Sequence, residues 1–465
     1  MNKMNNIIAA IDIGTTKIVA VIGKKEADGK FRVLGIGKAK SSGVKRGNVL
    51  NIEETVDGIK TAIKIAELQS NIKIKEVFVG IAGQNIKCIG NSGYINRPNF
   101  EQEITQEEID LLENDQYRIA LEPGEEIIHV LPKSFSVDNE SGVKPIGICG
   151  NRLEGQFHVI IGKSMNIKNL KRCVEKAGIK LISLFLEPIA SAKASLTEDE
   201  KEAGVAMIDI GGGTSDLAIY YEGSICHTAV VPFGGNVLTN DIKQAYNLLE
   251  KDAEELKVKH GAALAETISN EEVVSVPGIS GRSAKEISKK DLSRIIQARM
   301  DEIIGIIEFQ IKNSGYADKL GAGIVLTGGG SLLRALPQFV SFKTGYEIRI
   351  GNPILYLNSD IQENVNSPIF STSVGLIIVG DEFLNKLGKK TETGLFEIQE
   401  EEKVVKAISK PDEFGFSDEL EKKEAKKKEI TKERLTYKEI RESKVNKILS
   451  SLSKLFDDSD TKINE

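Results

Sequence analysis

Residues 205–221 read VAMIDIGGGTSDLAIYY: an apolar run carrying one acid, Asp209, then Gly211, Gly212 and Gly213, then Thr214, Ser215 and Asp216, then a second apolar run. That order predicts strand, tight turn, strand. Three successive glycines strip the turn of Cβ atoms and let backbone N–H groups approach an anion closely. Thr214 and Ser215 add hydroxyl donors, and a carboxylate at the strand end, Asp209, suits a hydrated Mg²⁺ ion. Gly-rich hairpin turns flanked by Asp and Ser also occur in sheets that bind nothing. Alone, the stretch leaves both options open.

Residues 7–22, IIAAIDIGTTKIVAVI, repeat the plan with Asp12, Gly14, Thr15 and Thr16. Two acid–glycine–hydroxyl hairpins far apart in one chain indicate a duplicated domain with two phosphate loops facing one cleft. Lys17, just beyond the turn, reads equally as a phosphate contact and as a solvated strand residue. GTTK does not satisfy GxxxxGK[ST], which sets aside the P-loop proteins. A third turn, Thr327, Gly328, Gly329, Gly330 and Ser331, follows an apolar run and opens a helical pattern. Three such motifs in this order resemble the actin-like ATPase superfamily of actin, sugar kinases and heat-shock chaperones.

The resemblance implies that the two hairpins grip the phosphates of ATP, that Asp12 and Asp209 hold Mg²⁺ through water, and that Gly328, Gly329 and Gly330 grip the adenosine. Glu187 stands before Pro188, which fixes a helix start. By position it complements that helix N-terminus; by resemblance it orients the water attacking the γ-phosphate, with at most weak ATPase activity. Glu254 and Lys257 are three apart on one helix face, the spacing of an ordinary ion pair. By resemblance Glu254 serves the ribose and Lys257 lies beside the base.

The run from 127 to 155, IIHVLPKSFSVDNESGVKPIGICGNRLEG, narrows the family. It resembles the inserted subdomain of the FtsA family of bacterial division proteins through His129, Pro132, Phe135, Val137, Asp138, Pro145, Gly147, Gly150, Arg152 and Leu153. Lys144 and Ile148 depart from the usual Asn and Met. Without an accompanying carboxylate or Ser motif, His129 and His158 read as packing residues. The implied fold is α/β and actin-like, with two lobes, each a ribonuclease-H-like mixed sheet flanked by helices, a nucleotide cleft between them and the FtsA-type insert.

The elements divide accordingly. Subdomain 1A takes 1–84 and 166–203, with the insert, 1C, at 85–165. Subdomain 2A takes 204–235 and 316–366, with 2B at 236–315. Residues 367–388 form a closing helix of 1A. A capping box, Thr105 with Glu108, predicts a helix over 105–120. Helical spacing predicts 52–68, 166–177 and 291–313, the last carrying Arg294 and Arg299. Such cations usually form a solvated face; by resemblance this surface receives the acidic C-terminal peptide of FtsZ.

From 389 to 440 Lys and Glu dominate without apolar periodicity, the composition of a charged, disordered linker. In the tail, 441–465, Val445, Ile448, Leu449, Leu452, Leu455 and Phe456 share one helical face flanked by Arg441, Lys444, Lys447 and Lys454. This is the pattern of an amphipathic helix lying in an anionic membrane surface. It lacks Trp, and acids follow it.

Across 465 residues the net charge is −6, against a nucleic-acid binder. Four scattered cysteines without CxxC suit a reducing cytoplasm, and four histidines without HExxH leave no zinc or iron motif. No signal peptide and no membrane-spanning run are recognised. The resemblance therefore implies a peripheral protein on the cytoplasmic face of the inner membrane at the division site. There it self-associates into filaments, tethers the FtsZ ring and meets later division proteins through the insert. The alternatives are a PilM-type pilus-assembly protein, which lacks the tail, and a sugar kinase or a chaperone, whose sugar pocket and peptide-binding domain find no motif here.

Overall fold

The first acid hairpin is β1 (Ile7–Ile13) and β2 (Lys17–Lys25), antiparallel, with Asp12 opposite Val19. In the computed structural model, which describes residues 7–142, 144–278, 283–353, 356–358 and 365–392, β3 (Phe31–Lys40) continues this meander. A two-residue hairpin joins β4 (Val44–Lys45) to β5 (Asn48–Val49). Helix α1 (Ile52–Ser70) follows, capped by Asn51, whose side chain accepts from the N–H groups of Glu53 and Glu54. Strand β6 (Glu76–Ile81) then pairs parallel to β1.

The insert leaves here. Strand β7 (Ile86–Asn96) precedes α2 (Gln106–Asp115), where the Thr105–Glu108 capping box is present. The helix stops at Asp115, short of the expected Ala120, and a 3₁₀ turn over Gln116–Arg118 completes it. Strands β8 (Glu125–Val137), β9 (Glu140–Ser141) and β10 (Arg152–Lys163) close a four-stranded sheet in the order β7-β10-β8-β9. Strand β7 was not expected: Gly90, Gly93 and its polar residues dilute the β signal, and eleven ladder pairs to β10 supply what propensity does not.

The chain re-enters lobe 1 through α3 (Ser164–Lys176), β11 (Lys180–Leu186), α4 (Glu187–Ser195) and α5 (Glu198–Ala203). Lobe 2 repeats the plan. Its meander is β12 (Val205–Ile210), β13 (Ser215–Tyr221) and β14 (Ser224–Val231). Helices α6 (Gly235–Tyr246) and α7 (Glu250–His260) follow, then the hairpin β15 (Val273–Val276) and β16 (Lys285–Ser288), then α8 (Lys289–Asn313). Strand β17 (Ile324–Thr327), α9 (Leu336–Thr344) and β18 (Ile348–Ile350) complete it, and α10 (Ser371–Glu392) returns to lobe 1, packing Val374, Ile377 and Ile378 with Ile8, Val21 and Phe78.

The sheet orders, β11-β6-β1-β2-β3 and β18-β17-β12-β13-β14, are the same topology written twice: three antiparallel strands, then two parallel ones. Helices α4 and α10 pack against each other so closely that a Cβ on Gly375 would lie 1.8 Å from the Ala190 carbonyl oxygen. Against the lobe 2 sheet, α6, α8 and α9 bury an apolar core including Ile242, Ile296, Ile303, Ile307 and Phe339. Residues 393–465 lie outside the described residues, and with them the tail positions Val445, Ile448, Leu449, Leu452, Leu455 and Phe456.

Candidate functional site

The two hairpin tips meet. A Cβ added to Gly212 would lie 2.3 Å from Thr16 Cγ2, and one added to Gly213 would lie 2.3 Å from Thr15 Oγ1. Glycine is therefore required at these positions so that the hairpins of opposite lobes can interlock. Gly14 and Gly211 are less crowded, with nearest contacts of 3.0 and 3.3 Å. Thr15, Thr16, Gly212 and Gly213 line one open cleft of about 1000 Å³, large enough for a nucleotide.

The hydroxyls after the second glycine run turn inward instead. Ser215 Oγ donates to the Phe233 carbonyl at 2.8 Å, and Thr214 Oγ1 donates to Asp216 Oδ2 at 3.4 Å. In lobe 2 the cleft therefore meets the glycines, while in lobe 1 it meets the threonines.

Behind the tips lies a carboxylate cluster. Asp12, Asp209 and Asp216 are buried, and Asp209 and Asp216 are direct cross-strand partners. Two like charges in that register oppose each other. Burial, opposed by Lys17 and reinforced by Asp209, raises the Asp12 carboxyl to about 6. Burial likewise raises Asp209. Burial and then Asp209 hold Asp216 well above the carboxylate range. Glu187, at the start of α4, is raised by burial and by Asp12, Asp216 and Asp209.

Lys17 faces this cluster rather than bulk water. Its Nζ donates to the Ile369 carbonyl and lies 5.4 Å from the centre of the Phe370 ring. Burial lowers its pKa while Asp12, Asp209 and Glu187 oppose that shift. Asp216 Oδ1 is buried and has no hydrogen-bond partner. A buried acid cluster with an orphaned acceptor carries the oxygen chemistry of a hydrated divalent cation's surroundings. Among the described residues no three such groups converge as direct metal ligands. Asp216 is a site residue that the motif analysis missed; its place opposite Asp209 in a hairpin is the signal that finds it.

Three consecutive hydroxyls at the start of α10 fix the cluster, and no motif marked them. Ser371 Oγ and Thr327 Oγ1 are 2.7 Å apart, Thr372 Oγ1 donates to Asp209 Oδ2 at 3.1 Å, and Ser373 Oγ donates to Asp12 Oδ2 at 3.3 Å. Ser191 Oγ of α4 adds a 2.6 Å bond to Asp209. The third glycine turn packs against the same tip: Gly328 has φ 80°, and a Cβ there would lie 2.2 Å from Asp209 Oδ1. Gly330 abuts Ile210, Gly329 has room, and none of the three lines the large cleft.

Glu254 does line it. Lys257 stands behind, donating to Glu254 Oε2 at 2.7 Å, Thr239 Oγ1 at 2.9 Å and the Gly235 carbonyl at 3.0 Å. Lys257 thus positions Glu254 and ties α7 to the first turn of α6. Lys40, Lys45, Arg46, Lys243 and Lys251 also line the cleft, and among the described residues none of them is in an ion pair, so the cleft favours anions.

Arg294 and Arg299 lie apart from this site on α8. Arg294 pairs with Asp291 at 2.8 Å. Arg299 grips Asp241 of α6 with two bonds, 2.6 and 3.1 Å, and also reaches Glu302. Both cations already have acids of their own chain. His129 stacks on Phe185, and burial lowers its pKa to about 4, the environment of a packing residue.

Residues 206–375 match the family model described as cell division protein FtsA, and residues 83–161 match the SHS2 domain inserted in FtsA. The cell division protein FtsA of Neisseria meningitidis serogroup B is 37% identical over 379 residues, 81% of this chain and 91% of the relative. That of Pseudomonas aeruginosa is also 37% identical, over 81% and 90% of the two chains, and that of Escherichia coli K12 is 33% identical over the same shares. Among solved structures, a PilM–PilN type IV pilus biogenesis complex matches with a TM-score of 0.57 at 16% identity, covering 80% of this chain and 98% of that one. MreB5 of Spiroplasma citri bound to AMPPNP matches with a TM-score of 0.51, also at 16% identity, covering 84% and 99%. At that identity the two structures show the actin-like fold alone.

Proposed function

The chain belongs to the FtsA family of cell division proteins, and from that premise we propose that it binds MgATP between its lobes, assembles into filaments and tethers the FtsZ ring to the inner face of the cytoplasmic membrane. The observation carrying the nucleotide reading is the cleft itself. Thr15 and Thr16 from one lobe and Gly212 and Gly213 from the other line about 1000 Å³, together with five cations that make no ion pair among the described residues. A polyphosphate satisfies those charges.

In this reading the threonine hydroxyls and the backbone of both tips receive the phosphates, while Asp12, Asp209 and Asp216 hold Mg²⁺ through water. That ion would offset charge on the phosphates and stabilise the ionised acids. Glu254 takes the ribose, held in place by Lys257, while the turn at Gly328, Gly329 and Gly330, outside the lining of the cleft, backs the Asp209 tip. Glu187 orients water, and its raised pKa fits slow hydrolysis, since a protonated carboxyl is a poor general base. The likeness to PilM rests on fold alone, so the division role is the favoured one.

An acidic FtsZ peptide docks on α8 by displacing Asp241 and Glu302 from Arg299 and Asp291 from Arg294. The tail, with Leu452 and Phe456 on its apolar face, enters anionic lipid.

Calorimetric titration with MgATP tests the core of this proposal. The full chain should bind, and Asp209→Asn should lose about tenfold or more in affinity. Equal affinity in both would remove the cleft from the account.

A further inference from the structure

The hairpin tip at Arg46 and Gly47 carries an anomaly. Two-residue hairpin loops of this kind need positive φ at both central positions, which is why Asn-Gly dominates them. Here the first position is Arg, at φ 50°, followed by Gly47 at φ 75°. A bulky residue in the left-handed region is held there only when its surroundings over-determine it. They do. Gly47 N donates to Thr15 Oγ1 at 3.3 Å, locking the tip onto the first phosphate hairpin, and a Cβ on Gly47 would lie 2.6 Å from the Ala82 carbonyl.

The strained residue is thereby aimed across the cleft. Arg46 is exposed, lines the cleft, and among the described residues pairs with no carboxylate; its guanidinium lies 5.7 Å from the centre of the Phe233 ring in lobe 2. A cation over an aromatic face at a solvated site is a weak contact that a phosphate displaces, because the guanidinium fork matches phosphate oxygens. Phe233 also carries the carbonyl that receives Ser215 Oγ, so the ring sits at the base of the second phosphate hairpin.

We propose that Arg46 reads the terminal phosphate. It exchanges the Phe233 ring for the γ-phosphate of a nucleoside triphosphate, bridging the lobes and giving the cleft its preference for triphosphate over diphosphate. This rests on the cleft being a nucleotide site, and the test separates the two claims. Arg46 is a binding residue in this account; no bond-breaking step is assigned to it.

The experiment measures affinities of the full chain for MgATP and MgADP, with thermal unfolding alongside. Arg46→Gln should lose about tenfold for MgATP and less than about twofold for MgADP, and Arg46→Lys should fall between, since it keeps the charge without the fork. Phe233→Leu should leave MgATP affinity unchanged or tighter, because it removes the competing ring. Equal losses for both nucleotides in Arg46→Gln, or a Phe233→Leu variant as impaired as Arg46→Gln, would overturn the proposal. If the wild type binds both nucleotides, Asp209→Asn loses both and Arg46→Gln keeps the wild-type ratio, the cleft assignment stands and the role of Arg46 falls. If the wild type binds neither, both fall.

Discussion

Gly212 and Thr16 interlock: the space a Cβ on Gly212 would need is occupied by Thr16 Cγ2, 2.3 Å away on the opposite lobe. The tips of the two hairpins are thus complementary surfaces. Gly212→Ala should destabilise the chain by about 1–3 kcal/mol through overpacking. Thr16→Ala in the same chain should recover much of that loss, leaving only the 3.2 Å contact to Thr16 Cβ. A double-mutant cycle on thermal unfolding measures the coupling, and purely additive effects would place the tips apart.

Asp209 should separate binding from folding by choice of substituent. Alanine leaves the donors Ser191 and Thr372 without their acceptor, although they lie 3.0 Å apart and bond each other in part. Asp209→Ala should therefore lose about 1–3 kcal/mol of stability as well as MgATP binding. Asp209→Asn keeps an acceptor oxygen and should lose binding alone. Denaturant midpoints of the two variants decide this; identical midpoints would mean the hydroxyl bonds carry no stability.

The unliganded chain should weaken as pH rises through the acid range. Asp12 is raised from 3.8 to about 6, so between those values the folded state binds more protons than the unfolded one. Its contribution is fully present below 3.8 and lost as pH passes about 6, a change of about 3 kcal/mol at 1.36 kcal/mol per pH unit. Asp216 and Glu187, also raised, act in the same sense. Asp12→Asn should flatten the slope. A flat wild-type profile from pH 4 to about 6 would show that the acids are solvated.

Arg299 needs a charge swap to be interpreted. Arg299→Glu alone sets two carboxylates against each other where Asp241 now receives the guanidinium, and should cost about 1 kcal/mol. Adding Asp241→Lys should restore stability without restoring affinity for the acidic peptide. Fluorescence anisotropy at low salt is the readout, and full peptide affinity in the swapped variant would move the docking surface off α8.

The tail, residues 441–465, lies outside the described residues. Deleting 441–465, or introducing Leu452→Glu, should abolish pelleting with anionic liposomes and leave MgATP affinity intact. In the filament proposed above each later tail would bind intramolecularly, so pelleting should rise steeply with protein concentration. Retention of the deletion variant on vesicles would rule out the anchor.

The acid hairpins were legible in the sequence because a turn is a local event: Asp209, three glycines and two flanking apolar runs all fall within one short window. The duplicated topology followed from finding that window twice. What remained hidden is held by contacts between distant segments. Ser373 reaches Asp12, Thr372 reaches Asp209, and Lys17 reaches Ile369, each across most of a lobe or more of chain. Neither periodicity nor turn chemistry encodes such pairings. Ser215 shows the converse: the motif marked it as a phosphate donor, and packing turned its hydroxyl to the Phe233 carbonyl.

Helix α10 starts on those acids and runs 22 residues to Glu392, a rod of about 33 Å. Lys25 and Lys193 grip it through Asp381 and Glu382, partway along. Those two ion pairs tie the outer half of the helix to β2 and α4. Its inner end carries Thr372 and Ser373, which hold Asp209 and Asp12. One rigid element thus sets the position of an acid in each lobe, so the two hairpins share a single structural reference.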